Sequence, residues 1–220
     1  MENKKGVVFD FNGTLFWDTQ LQNDSWDQFL AKYNFNLSDE EKLTWVHGIN
    51  AKDTFEYLFK KELSAEEVDL YTEEKEVIYR AMCLEKGMEL APGALDFISF
   101  LVNNGVEIAI ATASAKNNVD FFIENFHLLN YFKPENIIYN DGSTRGKPFP
   151  DLFNKAIERL NTDKKNTTIF EDSKAGIKAA VNAGAGNVII VSEINNGIRN
   201  AHFQVIHHFD EVNREHFLDK

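Results

Sequence analysis

The chain has 220 residues, of which 43% are hydrophobic, and a formal net charge of −12 at pH 7. This length and hydrophobic content allow a substantial core, in one large domain or in one domain that carries a smaller insertion. The acidic balance argues against proteins that bind nucleic acid or anionic membranes, because both classes need clustered Lys and Arg.

The N-terminal segment and the cysteine content indicate where the protein acts. Residues 1–11 (MENKKGVVFDF) contain no apolar run long enough for a signal peptide or a membrane span. The sequence has a single cysteine, Cys83, which excludes an internal disulfide. We therefore expect a cytoplasmic protein that works without a membrane, and we expect it to be a monomer.

Short apolar runs separated by helix-length segments predict buried strands. The first run, Gly6 to Phe11, contains Asp10 near its end and is followed by a turn at Asn12 and Gly13. Four similar runs follow it: Glu107 to Ala111, Asn136 to Tyr139, Thr167 to Phe170 and Asn187 to Val191. Strands that alternate with helices predict βαβ units and a parallel sheet covered on both faces. The predicted fold class is therefore α/β, with a Rossmann-like parallel sheet as the core.

Residues from about Gln20 to Lys86 interrupt this alternation. They contain amphipathic patterns without a convincing strand, and they predict an inserted all-helical domain. Pro92 and Gly93 mark the return to the α/β domain, where Ala94 to Asn104 is predicted as a helix. We expect a Rossmann-like core at residues 1–17 and 88–220, and a helical domain at residues 18–87.

Four polar segments follow predicted strands of the core. They are Asp10 to Thr14 (DFNGT), Thr112 to Lys116 (TASAK), the loop RGKPFPD that carries Lys147, and the pair Glu171 and Asp172. Parallel strands bring their carboxyl ends to one edge of the sheet, so the four segments can converge on one crevice. Each segment alone has a structural explanation, as a turn, a helix cap or a solvated loop. Their order and strand context together indicate a catalytic site.

The residue types in these segments suit phosphoryl transfer. Asp10 can act as a nucleophile and form an aspartyl phosphate, which divides one difficult displacement into two easier ones. Asp10 and Asp172 can hold Mg²⁺ through carboxylate oxygens, and the backbone carbonyl of Asn12 can add a ligand. Lys147 supplies a positive charge that offsets repulsion between the substrate and the Asp10 carboxylate. The predicted cofactor is Mg²⁺, and the predicted substrate is a small phosphorylated metabolite.

The segment TASAK supplies candidate phosphate-binding groups. Thr112 offers a hydroxyl, and the backbone amides around Ala113 and Ser114 lie near the start of a predicted helix. N–H groups at such a position bind phosphate oxygens. Lys116 is a further candidate to bind the phosphate.

The four segments resemble the motifs of the haloacid dehalogenase-like hydrolase superfamily, most of whose members are phosphatases and phosphomutases. FDFNGTL is similar to the first motif, ATAS carries the second at Thr112, GKPFPDLF carries the third at Lys147, and FEDSKAGIKAA is similar to the fourth. The resemblance covers nearly the whole chain. The sequences of the four motifs are similar to those of the subgroup that contains beta-phosphoglucomutase and phosphoglycolate phosphatase. It implies that Asp10 is the nucleophile and a metal ligand, and that Glu171 and Asp172 lie at the metal. It also implies that residue 12 lends its carbonyl to Mg²⁺ and that the helical insertion is a cap.

Position 12 departs from the family pattern. The family's phosphatases and mutases carry an Asp there as general acid and base, whereas this chain has Asn12. An amide can form hydrogen bonds, but it cannot exchange a proton near neutral pH. Asn12 therefore predicts slow turnover, activity restricted to good leaving groups, or a substitute base. It also motivates an alternative hypothesis, a protein that binds a phosphorylated ligand with little or no catalysis.

The predicted cap lacks two features of a sugar phosphomutase. By alignment, Asn23 stands where those mutases have a His, and Ala51 follows the loop where they have an Arg. A phosphatase is therefore favoured over a phosphomutase. Lys52 motivates a third hypothesis, C–P bond hydrolysis, because phosphonoacetaldehyde hydrolase also lacks the second Asp and uses a cap Lys as a Schiff base. Lys52 appears one residue late, which rotates it by about 100° on a helix. Trp45 and His47 are candidates either to reach the crevice or to pack within the cap.

Overall fold

Residues 4–46, 51–193 and 202–218 are described by the computed structural model, in which the chain divides into two compact units. We call the first, Met1–Asp18 with Met88–Lys220, the core unit. The second, Thr19–Gly87, is the helical unit. The chain thus leaves the core unit after its first strand and returns to it before the second.

Eight α-helices lie in the described residues, four in each unit. The helical unit contains α1 (Thr19–Lys32), α2 (Asp39–Trp45), α3 (Ala51–Phe59) and α4 (Ala65–Lys86). The core unit contains α5 (Ala94–Asn103), α6 (Lys116–Asn125), α7 (Asp151–Leu160) and α8 (Lys174–Ala183). Short 3₁₀ turns occur at Leu128–Asn130, Pro134–Asn136, Lys164–Asn166, Phe209–Glu211 and Arg214–Phe217. None of the described helices combines the length and the apolar character needed to cross a membrane.

A parallel sheet forms the centre of the core unit. Its described strands are β1 (Gly6–Phe9), β2 (Glu107–Ala111), β3 (Ile137–Ile138), β4 (Thr167–Glu171), β5 (Asn187–Val191) and β6 (Gln204–Ile206). The spatial order β3-β2-β1-β4-β5-β6 places β1 between β2 and β4. Val8 is therefore in register with Ala109 on one side and with Ile169 on the other. The predicted α/β class with a Rossmann-like parallel sheet is confirmed.

The strands are continuous apolar runs because both faces of the sheet are covered by packed side chains. All four residues of β1 are buried, and Val8 belongs to a cluster that includes Phe153 and Ala156 of α7. On β1 and β4, the rings of Phe9 and Phe170 stack with their centroids 5.1 Å apart. This packing fixes the register of the two strands that end at the candidate site.

β1 ends at Phe9, two residues before the end of its predicted run, and β4 extends one residue further than predicted, to Glu171. Two other strands differ more. β3 was expected at Asn136 to Tyr139, but only Ile137 and Ile138 pair with β2. β6 was not predicted, because it has three residues and only Ile206 is buried, so it shows no readable apolar period.

The helical unit has its own hydrophobic core. Phe29 and Leu30 of α1 pack with Phe55 and Leu58 of α3 and with Leu63. A capping box starts α4, in which the Ser64 and Glu67 side chains each accept a hydrogen bond from the other residue's backbone N–H.

The core of the helical unit also holds a cation. Lys75 of α4 is 4% exposed, and its ammonium group donates to Gln22 Oε1 at 2.9 Å and to Glu76 Oε1 at 2.7 Å. The ammonium lies 5.4 Å from the ring centroids of Trp26 and Tyr79. These contacts replace the water that a buried ammonium loses.

Candidate active site

Three carboxyl groups meet at the carboxyl ends of β1 and β4. Asp10 follows β1, Glu171 is the last residue of β4, and Asp172 comes next. The Asp10 backbone N–H donates to Phe170 O at 3.0 Å, which holds the ends of the two strands together. One carboxylate oxygen from each of the three residues lies within 4.8 Å of the others. Such a set of hard oxygen atoms can hold a divalent cation.

Lys147 places its ammonium group between two of these carboxylates. It donates to Asp10 Oδ1 and to Glu171 Oε2, the second at 2.6 Å, and its side chain is 9% exposed. Burial alone would lower the pKa of Lys147, but the charges of Asp10 and Glu171 outweigh burial and raise this pKa above its usual value. Lys147 therefore carries a positive charge at neutral pH.

A single ammonium does not balance three carboxyl groups. Burial raises the pKa of Asp10 well above its usual value, the charge of Glu171 raises it further, and Lys147 offsets only part of the effect. Burial, followed by the charge of Glu171, raises the pKa of Asp172 to about 7. For Glu171, burial acts to raise the pKa, but contacts with Lys147 and Ser173 lower it overall. The cluster thus has more carboxyl groups than Lys147 alone can neutralise, and a bound cation would supply the missing positive charge.

Two glycines let the backbone approach these carboxylates. A Cβ on Gly13 would lie 2.3 Å from Asp172 Oδ2, and a Cβ on Gly176 would lie 2.0 Å from Glu171 Cδ. Gly13 also has a φ of +79°, a conformation that side chains rarely adopt. The loop after β1 and the first turn of α8 therefore close directly against the carboxylates.

The Asn12 side chain is held in a fixed orientation. Its Nδ2 donates to Asp18 Oδ2 at 2.7 Å, and its Oδ1 accepts from the Ser114 hydroxyl at 2.7 Å. Asp18 is 1% exposed and also accepts the Gly13 backbone N–H at 3.0 Å. This pattern assigns the amide oxygen to Ser114 and the amide nitrogen to Asp18.

The contacts of Asp18 and Thr14 were not predicted from the sequence. Thr14 donates to Asp172 Oδ1 at 3.1 Å, and this hydrogen bond acts to lower the pKa of Asp172. Thr14 lies within the first motif and Asp18 follows it, so closeness to this motif is the feature of the sequence that points to both residues. Their partners depend on how the loop between β1 and α1 turns.

The segment after β2 joins the site through Ser114. Thr112 is 2% exposed, and its hydroxyl accepts the Ser114 backbone N–H at 3.1 Å. Ala113 is exposed, and Ala115 is the N-cap residue of α6. Lys116 is 62% exposed at the start of α6, where its ammonium group pairs with Asp120. Ser114 contacts Asn12 directly, whereas the Lys116 ammonium lies on an exposed helix surface.

The candidates in the helical unit have local partners. The Lys52 side chain is 61% exposed, and its Nζ lies 3.7 Å from Glu56 Oε1. Trp45 stacks on Tyr57 with ring centroids 4.4 Å apart and an interplanar angle of 5°. Trp45 thus packs within its own unit. His47 lies outside the described residues.

The chain is similar to known proteins over most of its length. A family model described as haloacid dehalogenase-like hydrolase matches residues 7–191. The chain is 24% identical to the phosphorylated carbohydrates phosphatase of Thermotoga maritima over 206 residues, which cover 88% of each protein. It is 30% identical to (DL)-glycerol-3-phosphatase 1 of Arabidopsis thaliana, over 85% of this chain and 63% of that protein.

A solved structure is also similar to this chain over nearly its whole length. The crystal structure of a HAD hydrolase, family IA, variant 3, from Entamoeba histolytica is 33% identical, with a TM-score of 0.87 over 97% of each chain. The resemblance found in the motifs is therefore confirmed over nearly the whole chain. The protein belongs to the haloacid dehalogenase-like hydrolase family.

Proposed function

We propose that the protein is a phosphatase that hydrolyses the phosphate ester of a small metabolite, with Asp10 as the nucleophile. The observation that carries the proposal is the contact of the buried Lys147 ammonium with Asp10 and Glu171, beside Asp172. This arrangement joins a nucleophile to a fixed positive charge, and it leaves further oxygen atoms for a cation.

The named relatives support this substrate class. Two phosphatases, one named for phosphorylated carbohydrates and one for glycerol 3-phosphate, align with more than four fifths of the chain. We infer that the substrate is a small phosphorylated metabolite. The role of a substrate-selecting cap, which the family resemblance gives to the helical insertion, stays a prediction.

The reaction has two displacements at phosphorus. In the first, an Asp10 carboxylate oxygen forms a bond to phosphorus while the bond to the ester oxygen breaks, which leaves an aspartyl phosphate and an alcohol. In the second, water attacks this phosphorus while the bond from phosphorus to the Asp10 oxygen breaks, which gives inorganic phosphate and restores the Asp10 carboxylate. Lys147 lowers the repulsion between the Asp10 carboxylate and the anionic phosphoryl group in the first step.

The carboxylates fit Mg²⁺ as a cofactor. Mg²⁺ prefers oxygen ligands and retains several waters, which suits a cluster with few protein groups and excess negative charge. Asp10 and Asp172 would hold the ion with the backbone carbonyl of Asn12, and Glu171 would lie beside it. When bound, the cation neutralises the negative charge of the phosphoryl oxygens.

Asn12 limits the proton transfers in both steps. The departing ester oxygen needs a proton and the attacking water must lose one, but the amide of Asn12 can do neither near neutral pH. Its fixed contacts with Asp18 and Ser114 position the amide without giving it a titratable proton. Esters with weakly basic leaving groups should therefore be the best substrates.

The test is Mg²⁺-dependent hydrolysis of an activated aryl phosphate by the natural chain, Asn12→Asp and Asp10→Ala. We expect slow turnover by the natural chain, loss of turnover in Asp10→Ala, and a gain of about 10²-fold or more in Asn12→Asp. Asp69→Asn, which alters an exposed carboxylate on α4, is the control and should not change the rate. Full turnover by Asp10→Ala would refute the role of Asp10.

Asn12 also favours a second function, the binding of a phosphorylated ligand without catalysis. A protein that binds a phosphorylated ligand without turnover needs the charge arrangement of Asp10 and Lys147 but no proton-transfer group. It predicts that neither the natural chain nor Asn12→Asp hydrolyses any member of a broad panel of phosphate esters. Calorimetric binding of those esters in the presence of Mg²⁺ would then identify the ligand.

A further inference from the structure

Three large apolar side chains on α4 face solvent at intervals of seven residues. Leu70 is 63% exposed, Val77 is 52% exposed and Leu84 is 57% exposed. Seven residues are close to two helical turns, so these side chains lie in a row along one side of the helix, over about 21 Å. Ala81 is also exposed and lies in the same row. We call Leu70, Val77, Ala81 and Leu84 the α4 stripe.

The α4 stripe is separate from the face that anchors the helix. The buried residues of α4 are Lys75, Tyr79 and Cys83, and the helix packs against α1 and α3 within its own unit. An amphipathic helix needs one apolar face, and α4 already has it. Exposed apolar residues are ordinary when scattered, but three large ones aligned on one side of a helix, with Ala81 between two of them, suggest an interaction surface.

We propose that the α4 stripe is the contact surface for a second copy of this chain, packed with its α4 antiparallel to the first. Val77 lies midway between Leu70 and Leu84, seven residues from each. A two-fold axis beside Val77 therefore places each Leu70 against Leu84 of the second copy, and Val77 against its own counterpart. This self-complementarity is what a symmetric dimer interface requires.

The charges on one flank of the α4 stripe fit the same axis. Glu73 lies four residues before Val77 and Arg80 lies three residues after it, and their side chains pair with each other along the helix. The two-fold axis brings each Glu73 next to Arg80 of the second copy on the same flank. The Glu73 side chain is 45% exposed and open to the second copy, whereas the Arg80 side chain is 16% exposed.

The other flank does not oppose this packing. There Glu67 would approach Glu85 of the second copy, and two carboxylates alone would repel each other. Glu67 is already paired with Lys61 at 2.6 Å, which supplies a cation at that point. In a monomer, the state expected from the sequence, the α4 stripe would have no role.

The dimer should be weak and reversible. One pair of helices buries less than the roughly 1,200 to 2,000 Å² of total surface found in stable interfaces. The net charge of −12 on each chain also opposes association. We expect a dissociation constant of about 1 to 100 μM, which sedimentation equilibrium of the full chain over a range of concentrations can measure.

The discriminating variant is Val77→Glu, because the axis brings two copies of this position together. One substitution then places two carboxylates in contact, and we expect the dissociation constant to rise by about tenfold or more. The matched control is Val181→Glu, since Val181 is 50% exposed on α8 of the core unit. This control should dimerise like the natural chain.

A crosslinking measurement covers the case in which Val77→Glu alters the helix itself. Val77→Cys should form a disulfide-linked dimer when copper–phenanthroline and dissolved oxygen oxidise the two facing thiols, and Val181→Cys should not at the same concentration. The only natural cysteine, Cys83, is buried. A natural chain that is monomeric up to about 1 mM would overturn the proposal. Equal shifts in the two Glu variants, or equal crosslinking in the two Cys variants, would do the same.

Discussion

At the scale of single residues, the pKa of Asp172 governs how the crevice responds to pH. Burial and the charge of Glu171 raise this pKa to about 7, above the value of 3.8 for a free Asp side chain. The folded, metal-free protein therefore holds a proton on Asp172 that the unfolded chain has already lost. Asp172 therefore contributes stability that is present below about pH 4 and is lost as the pH rises through 7, because the folded state binds more protons in this interval.

The corresponding prediction concerns Asp172→Asn in the presence of a chelator. The amide removes the titrating group, so the free energy of unfolding should fall less between about pH 5 and pH 8 than it does in the natural chain. Some pH dependence should persist, since the pKa of Asp10 is also raised. Urea unfolding at the two pH values measures the difference. Asp69→Asn, an exposed control on α4, should retain the full slope, and an unchanged slope in Asp172→Asn would contradict the assignment.

The carboxylates and Lys147 could be predicted from the sequence, but not all of their neighbours. Asp10, Glu171 and Asp172 lie at strand ends, and a parallel sheet brings such ends together whatever the loops do. The contact of Asp18 with Asn12 depends on the turn of one irregular loop, which no periodicity encodes. The pairing of Lys116 with Asp120 follows from i,i+4 spacing on a helix, and that spacing is readable in the sequence.

At the scale of elements, the first turn of α8 is built around the Glu171 side chain. Ser173 is the N-cap residue, and its hydroxyl oxygen accepts the Gly176 backbone N–H at 3.0 Å. The same hydroxyl donates to Glu171 Oε1 at 2.8 Å. Gly176 has no side chain, so the helix can lie directly over the Glu171 carboxylate. The start of α8 thus fixes the carboxylate that pairs with Lys147.

Gly176→Ala tests this packing. Alanine is favoured in helices by about 1 kcal/mol over glycine, but its Cβ would overlap the Glu171 carboxylate, which is fully buried and held by Lys147 and Ser173. We expect the cost of the overlap to exceed the gain in helix propensity. The free energy of unfolding should then fall by about 1 to 3 kcal/mol. Urea unfolding measures the loss. Gly146→Ala meets nothing within 4 Å and is the matched control. A variant more stable than the natural chain by the roughly 1 kcal/mol of helix propensity would show that Glu171 moves aside freely.

Elements were predictable in proportion to their length and burial. The bounds of β2 and β5 matched the apolar runs, because both strands are buried over most of their five residues. β3 and β6 lie at the two edges of the sheet, where two or three paired residues are too few to set a period. Edge strands of this kind are defined by their neighbour in the sheet, and a single sequence does not reveal that neighbour.

At the scale of the whole molecule, the two units have separate hydrophobic cores. One core surrounds Val8 and Phe153 in the core unit, and the other surrounds Phe29 and Phe55 in the helical unit. All three carboxylates of the candidate metal site belong to the core unit. Domains with their own cores can unfold in separate transitions, and a ligand stabilises only the domain that binds it.

The tryptophans allow the two units to be observed separately. Trp17 belongs to the core unit, whereas Trp26 and Trp45 belong to the helical unit. The Trp17 indole N–H is buried and has no hydrogen-bond partner among the described residues, so Trp17→Phe removes no hydrogen bond. The fluorescence of this variant comes from Trp26 and Trp45, so it reports the unfolding of the helical unit. The double variant Trp26→Phe/Trp45→Phe reports the core unit.

We expect Mg²⁺ to raise the unfolding temperature reported by Trp17 by several degrees, and the one reported by Trp26 and Trp45 by much less. A hundredfold excess over the dissociation constant adds about 2.7 kcal/mol to the unit that binds the ion. The difference should be larger at pH 8 than at pH 6, because the ion competes with the proton on Asp172, whose pKa is about 7. Equal shifts from both reporters would mean that the units unfold as one body. No shift from either would exclude Mg²⁺ from the Asp10 and Asp172 carboxylates.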